Sequence, residues 1–290
     1  MADVWTALEC LRGKDPTCKL SWGHWGTEFF DFLKLNFDWL FSAIKTALTV
    51  SMNSLTAGLL WMDPLWVVLW FVILSYVLQR SWRLSLGVAV GLLFIINQGF
   101  WKDTIETLVL VFGATTVAMA IGVPLGIATA RRPKLYAIMR PILDLMQTLP
   151  TFCYLIPALV LFGLGLAPGL ISTVIFALPA PVRLTYLGIT SVPKPLIEAG
   201  LAFGATKRQL LTTVELPHAL PTIMAGLTQC IMLALSMVVI AALVGANGLG
   251  KQVVRALNQV NIPLGLEAGA AIVILAIILD RMTHMRSVKL

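Results

Sequence analysis

Charged side chains are scarce in this chain: Asp, Glu, Lys and Arg make up 12% of its 290 residues, against 58% hydrophobic. A soluble domain carries about twice that charged share. The shortage excludes a water-soluble globular protein and defines an integral membrane protein. The apolar runs also lack any cluster of ionisable groups, since Asp144, Arg183 and Asp280 all lie near predicted span ends. A proton or sodium relay needs such groups within the membrane, and no inverted repeat of the secondary-transporter kind is evident. Energy for uphill transport must therefore enter from elsewhere. No Walker-type phosphate loop is expected either, so the chain is not itself the nucleotide-binding part of a pump.

Cysteine is equally sparse. Cys153 and Cys230 fall within apolar runs, as small packing residues and not as metal ligands, and no metal site is expected. Cys10 and Cys18 flank the turn-rich "LRGKDPT"; they form a disulfide if the tail faces an oxidising compartment and are otherwise two free thiols. The first 30 residues contain no signal-peptide core, because "RGKDPTCK" interrupts it, and the tail is expected to be retained. The formal charge of +7 does not call for nucleic acid, because the Lys and Arg residues sit in short clusters beside apolar runs.

What is present is a succession of spans. Runs near 64–79, 84–98, 104–130, 148–166, 168–190, 219–243 and 265–281 predict seven crossings. Basic clusters follow the first (Arg80, Arg83), third (Arg131, Arg132, Lys134), fifth (Lys194, Lys207, Arg208) and last (Arg281, Arg286, Lys289), and all four fall on one side. By the positive-inside rule that side is cytoplasmic; only Lys251 and Arg255 run against the trend. Upstream, Asp38, Ser42, Lys45, Thr49, Asn53 and Thr56 form one polar stripe on an apolar helix over 37–62. A striped helix suits the membrane interface or the protein's own spans better than an eighth crossing through lipid. Pro124, Pro150, Pro157, Pro168, Pro179 and Pro181 punctuate the spans and are expected to kink them. Trp61, Trp66, Trp70, Trp82 and Trp101 lie at span ends, as interfacial anchors do.

The wettest segment is "IEAGLAFGATKRQLLTTVELPHALP" (197–221). Pro195 starts a short helix with Leu196, Ile197, Leu201 and Phe203 as apolar anchors, Gly204 turns the chain, and a second helix "TKRQLLTTVE" is expected to end at Leu216–Pro217. Its apolar face needs a partner surface. Here the chain resembles a known family: Glu198, Ala199, Gly204, Val214, Leu216 and Pro217 reproduce the EAA motif of ABC importer permeases, with Gly200 where a second alanine is usual. The resemblance extends over most of 104–283. "LDLMQTLPTFCYLIPALVLFGLG", "TVIFALPAPVRLTYLGI" and "IMAGLTQCIMLALSMVVIAALVGANGLG" are similar to permeases of glycine betaine, proline betaine and choline importers.

The resemblance implies an all-α polytopic protein with the type I ABC importer transmembrane fold, in a bacterial inner membrane. It implies alternating access by a homodimer, in contact with membrane lipid. A separate cytoplasmic ATPase would hold the ATP and Mg, leaving no cofactor or catalytic residue on this chain, and a periplasmic or lipid-anchored binding protein would deliver the solute. The organisation expected is a tail (1–36), an amphipathic helix (37–62), two accessory spans (63–103) and a permease core (104–290) with a coupling hairpin (194–218). In that hairpin Glu198, Ala199, Gly200, Phe203, Gly204, Ala205, Lys207, Arg208, Leu216 and Pro217 would couple to the ATPase. Gln147, Thr148, Thr151 and Tyr154, polar groups gathered at the Pro150 break, are candidates for the substrate pathway or for packing. The rival functions are an importer for another small solute, such as an amino acid, and an osmotically gated channel.

Overall fold

The computed structural model describes residues 22–283 and divides at Ile44/Lys45 into two units. Cys10, Cys18, Arg286 and Lys289 lie outside the described residues. The first unit holds the opening part of helix α1 (Trp22–Trp61), which is interrupted by non-helical angles at Phe37 (φ −123°, ψ 18°). Two helical segments meet there, at the boundary where the polar stripe begins.

Among its described residues the second unit is helical throughout. After the end of α1 come α2 (Pro64–Gln79), α3 (Trp82–Asn97), α4 (Trp101–Arg131), α5 (Pro133–Thr148), α6 (Phe152–Phe162), α7 (Leu166–Ala177) and α8 (Pro179–Thr190). The remaining elements are α9 (Lys194–Ala202), the single turn α10 (Lys207–Gln209), a π-helical turn (Leu210–Glu215), α11 (Leu216–Leu243), α12 (Leu249–Gln259) and α13 (Ile262–Thr283). Proline starts several of them, where its missing N–H would be unpaired anyway. At α2 the Asp63 carboxylate also accepts the Leu65 N–H at 2.9 Å.

Four stretches are long and apolar enough to cross a membrane: α4, α7 with α8 (Leu166–Thr190), Lys207–Leu243 and α13. The number rises to six if each of two bent helix pairs is one span. Of the seven crossings expected from sequence, three are not single long helices: one is bent at a proline and two are only 16 residues long. The run 148–166 breaks around Pro150, where α5 and α6 meet at 95°. Alone, α6 rises only about 16 Å, half of the hydrocarbon layer. Helix α3, with 16 residues, is also short of a full crossing. Pro168 and Pro179, by contrast, stand in first turns and leave α7 and α8 as one span.

The core forms where α11 packs along α7 and α8, and α4 along α8. Ile105, Leu110, Leu170 and Met237 are among its fully buried side chains. Without water to drive them together, spans associate by close packing of small residues. Gly122 and Gly126 provide this on α4: a Cβ at Gly126 would stand 2.5 Å from Thr185 Cβ and 2.8 Å from the Val182 carbonyl, and one at Gly122 2.6 Å from Pro181 Cγ. From residue 45 onward α1 also packs on this unit, with buried Met52 set over Gly113 of α4.

Gly126→Val is therefore expected to destabilise the chain by at least about 1–3 kcal/mol through overpacking. Gly58→Ala, at a position open on all sides, is expected to be neutral or slightly stabilising. Thermal unfolding in detergent measures both; equal midpoints for the two variants would contradict the packing account.

Candidate coupling hairpin and pathway residues

The hairpin turn is built from backbone hydrogen bonds. Helix α9 ends in a Schellman arrangement, with Gly204 N–H donating to Leu201 O at 2.9 Å and Ala205 N–H to Gly200 O at 3.1 Å. That geometry needs a left-handed residue, and Gly204 supplies it at φ +75°. The next residue but one starts the second arm with a capping box: Thr206 N–H donates to Gln209 Oε1 at 2.9 Å, and Gln209 N–H to Thr206 Oγ1 at 3.4 Å. "GATKRQ" is thus a helix stop joined directly to a helix start. Gly200 lets the arms close, because a Cβ there would meet Leu210 Cδ1 at 2.7 Å.

The outer arm leaves its apolar side chains uncovered. No residue of α9 is buried, and Phe203, at the tip, is 92% exposed. Leu196 and Leu201 are exposed as well. These expected anchors therefore find no pocket among the described residues of their own chain. Glu198, Ala199, Lys207 and Arg208 are exposed, whereas Ala205 is half-buried.

The inner arm does not stop at Leu216–Pro217 as the sequence suggests. It passes through the π-helical turn, where Leu216 N–H donates to Leu211 O, and continues into α11. The wider turn accommodates Pro217, which has no N–H and would crowd a tight ladder. Leu211 and half-buried Leu216 pack on a small cluster of Ile189, Ala219 and Ile223, shared with Ile127 and Ala130 of α4.

An ion pair fixes this arm to the membrane unit. Arg131, the last residue of α4, donates through Nη2 to Glu215 Oε2 at 2.7 Å and through Nη1 to Lys207 O at 3.1 Å. The Glu215 side chain is only 10% exposed and the Arg131 side chain 30%. Both ends of the inner arm are thereby held by one guanidinium. Sequence reasoning missed this role for both residues; a glutamate directly before an apolar Leu-Pro, with no Lys or Arg three or four residues away, was the available signal.

The pathway candidates separate. Gln147 and Thr148 are exposed at the end of α5, and Thr151 is half-buried in the break. Tyr154 is buried, and its hydroxyl donates to the carbonyls of Met146 and Leu145. It caps the end of α5 across the bend. Nearby, α5 is tied to α8 by the Arg183–Asp144 pair at 2.6 Å and by parallel stacking of Tyr136 on Tyr186 at 3.7 Å.

At the opposite end of α4, residues 245–251 read GANGLGK, which, contrary to expectation, has the glycine–lysine spacing of a phosphate loop. A helix and not a strand precedes it, and Gln252 stands at the Ser/Thr position. The loop is turned onto α4 instead. Leu249 N–H donates to Thr107 Oγ1 at 2.8 Å, Gln252 Nε2 to Asp103 at 3.0 Å, and Lys251 Nζ to Asn247 Oδ1 at 3.2 Å.

Long apolar spans that run straight into an ordered, uncovered hairpin have the build of a membrane permease. Comparison with known proteins gives the same class. Residues 122–284 match the family described as binding-protein-dependent transport system inner membrane component. The chain is 43% identical to the glycine betaine transport system permease protein OpuAB of Bacillus subtilis, over 90% of this chain and 92% of that one. It is 44% identical to the glycine betaine/proline betaine transport system permease protein ProW of Escherichia coli, over 90% and 73%. It is 51% identical to the glycine betaine/carnitine transport permease protein GbuB of Listeria monocytogenes, over 71% and 73%. The inward-facing methionine ABC transporter MetNI superposes with a TM-score of 0.57 at 25% identity, over 62% of this chain and 91% of that one. The chain belongs to the binding-protein-dependent transport system inner membrane component family: it is a multi-pass permease of an ABC importer in a bacterial inner membrane. Such importers work with an ATPase and a substrate-binding protein.

Removing the Arg131–Glu215 pair is expected to loosen the inner arm. A hydrogen bond to a charged group contributes about 1.5–3 kcal/mol, so Arg131→Ala should speed amide exchange over residues 207–216 by roughly tenfold to a hundredfold. Arg131→Glu with Glu215→Arg should recover part of the protection. Unchanged exchange in Arg131→Ala would remove the strut from the account.

Proposed function

We propose that this permease carries a small quaternary amine, glycine betaine or choline, into the cell by alternating access, and that its hairpin 194–218 is where a separate ATPase applies force. The observation that carries the reading is the hairpin itself: a Schellman stop, a capping box and an ion pair hold an apolar tip out in water. Ordering such a projection costs conformational entropy, and exposing Phe203 forgoes its burial. Both are offset when a partner surface receives it. Glu198, Gly204 and the exposed Lys207 and Arg208 form the docking face, Ala199, Gly200 and Ala205 let the two arms close, and Leu216 and Pro217 carry the inner arm into α11. The Arg131–Glu215 strut passes the displacement to α4.

The substrate class is supported by the relatives' names. Glycine betaine, proline betaine and carnitine share a quaternary ammonium beside a carboxylate. Gln147, Thr148 and Thr151 are the polar groups proposed to face the pathway, with Tyr154 holding the bend that positions them. The working importer contains two copies of this chain, two ATPases and one binding protein that brings the solute. ATP and Mg²⁺ are held by the ATPase, and this chain binds no cofactor and catalyses no reaction.

Co-purification with the ATPase, followed by ATP hydrolysis with the binding protein loaded with glycine betaine, choline or proline betaine, tests the reading. Stimulation by a loaded quaternary amine supports it; stimulation only by an ordinary amino acid, or solute flux through the permease alone without ATP, overturns it. Phe203→Ala and Gly204→Asp are expected to leave insertion intact and to reduce stimulated hydrolysis at least tenfold. Full stimulation in both variants would show that the tip does not couple.

A further inference from the structure

Helices α3 and α13 enclose an open groove of about 580 Å³ whose two ends differ in chemistry. On α3, Arg83, Gly87 and Gly91 recur every four residues and so share one face. Opposite them α13 presents Ile274, Ile278 and, at its end, Arg281. At Gly91 the two helices touch, since a Cβ there would stand 2.7 Å from Ile274 Cγ2. One turn closer to Arg83 they part, and a Cβ on Gly87 would meet nothing within 4 Å. The result is an apolar slot that widens toward two guanidinium groups.

Both arginines are held at one end. Gln79 Nε2 donates to the Met282 carbonyl at 3.3 Å, which ties the end of α2, just before α3 starts, to the end of α13. This is the side on which the basic clusters fall, at the cytoplasmic headgroup layer. Arg83 lies over the Trp82 ring, 5.8 Å from its centroid, with no salt-bridged carboxylate among the described residues. Arg281 Nε is 4.0 Å from Asp280 Oδ2, too long for a tight pair. Ser81 makes no side-chain cap, so the first N–H groups of α3 add to the positive end.

An apolar slot in the hydrocarbon layer takes hydrocarbon, and two arginines among its lining residues favour a headgroup of net negative charge. We infer that the groove holds an anionic phospholipid, with an acyl chain between α3 and α13 and the phosphodiester at Arg83 and Arg281. The site is distinct from the hairpin and from the pathway, and its test does not require transport.

The full-length chain is titrated in detergent with phosphatidylglycerol or phosphatidylcholine of the same acyl length, and bound lipid is counted by native mass spectrometry. Phosphatidylglycerol is expected to be retained at least about tenfold more tightly, since each arginine near an anionic headgroup contributes on the order of 1 kcal/mol. Arg83→Gln with Arg281→Gln should abolish the preference while leaving helical content unchanged. Gly87→Leu, at the open position, should fill the slot and weaken retention of both lipids. Equal retention of the two lipids by the natural chain overturns the inference, as does an undiminished preference in the double variant. Displacement of phosphatidylglycerol by inorganic phosphate alone also overturns it, because the site would then be ionic and not a lipid site.

Discussion

The Arg131–Glu215 ion pair is the contact on which the hairpin end of this permease depends. A carboxylate that is nine-tenths buried is tolerated only when a cation is delivered to it at hydrogen-bond distance. Here the cation comes from the last residue of a span and the carboxylate from the turn before the next long helix. Their meeting fixes where α4 ends relative to the inner arm. The second hydrogen bond of Arg131, to the Lys207 carbonyl, fixes the other end of the same arm. Once those points are set, the apolar cluster around Ile189, Ala219 and Ile223 closes beneath them.

The remaining architecture follows from keeping backbones close where there is little polarity to hold them. Gly122 and Gly126 bring α4 against α8 at distances that any larger residue would forbid. Proline acts by position: in first turns it starts helices without loss, whereas at Pro150 it breaks a span, and Tyr154 then satisfies the Met146 carbonyl, whose i+4 residue is a proline without an N–H. The same thinning of side chains that lets helices touch at Gly91 leaves an open slot at Gly87.

Much of this was legible in the sequence because it is local. The kink at Phe37 stands where the polar stripe starts, the spans 104–130, 219–243 and 265–281 lie within α4, α11 and α13, and Gly204 turns the hairpin as its spacing requires. What was not legible depends on partners distant in sequence. Arg131 reads as one of several topology-setting cations, since nothing near it announces a carboxylate 84 residues away. Proline reads as a helix stop, so the sequence ends the arm at Pro217; that a π-helical turn carries it past the proline into α11 is not visible in the residues alone. For Tyr154 the sequence leaves pathway and packing both open, because its polarity is visible there and its hydrogen bonds across the bend are not. Hydropathy likewise counts apolar residues but registers neither that Pro150 turns the chain nor that the helix over 84–98 is only 16 residues long.

The hairpin and α4 are expected to move as one body, because the Arg131 guanidinium and the apolar cluster beneath it join them. The most direct measurement is the distance between spin labels at Phe203→Cys, on the tip, and Ile121→Cys, on the exposed face of α4, in one subunit of the assembled importer without nucleotide and with ATP bound. A separation constant to within about 1–2 Å while the two tips of the importer approach each other is the predicted result. A change of a turn's length or more, on the order of 5 Å, would mean that the tip moves independently of the span, and would contradict the strut.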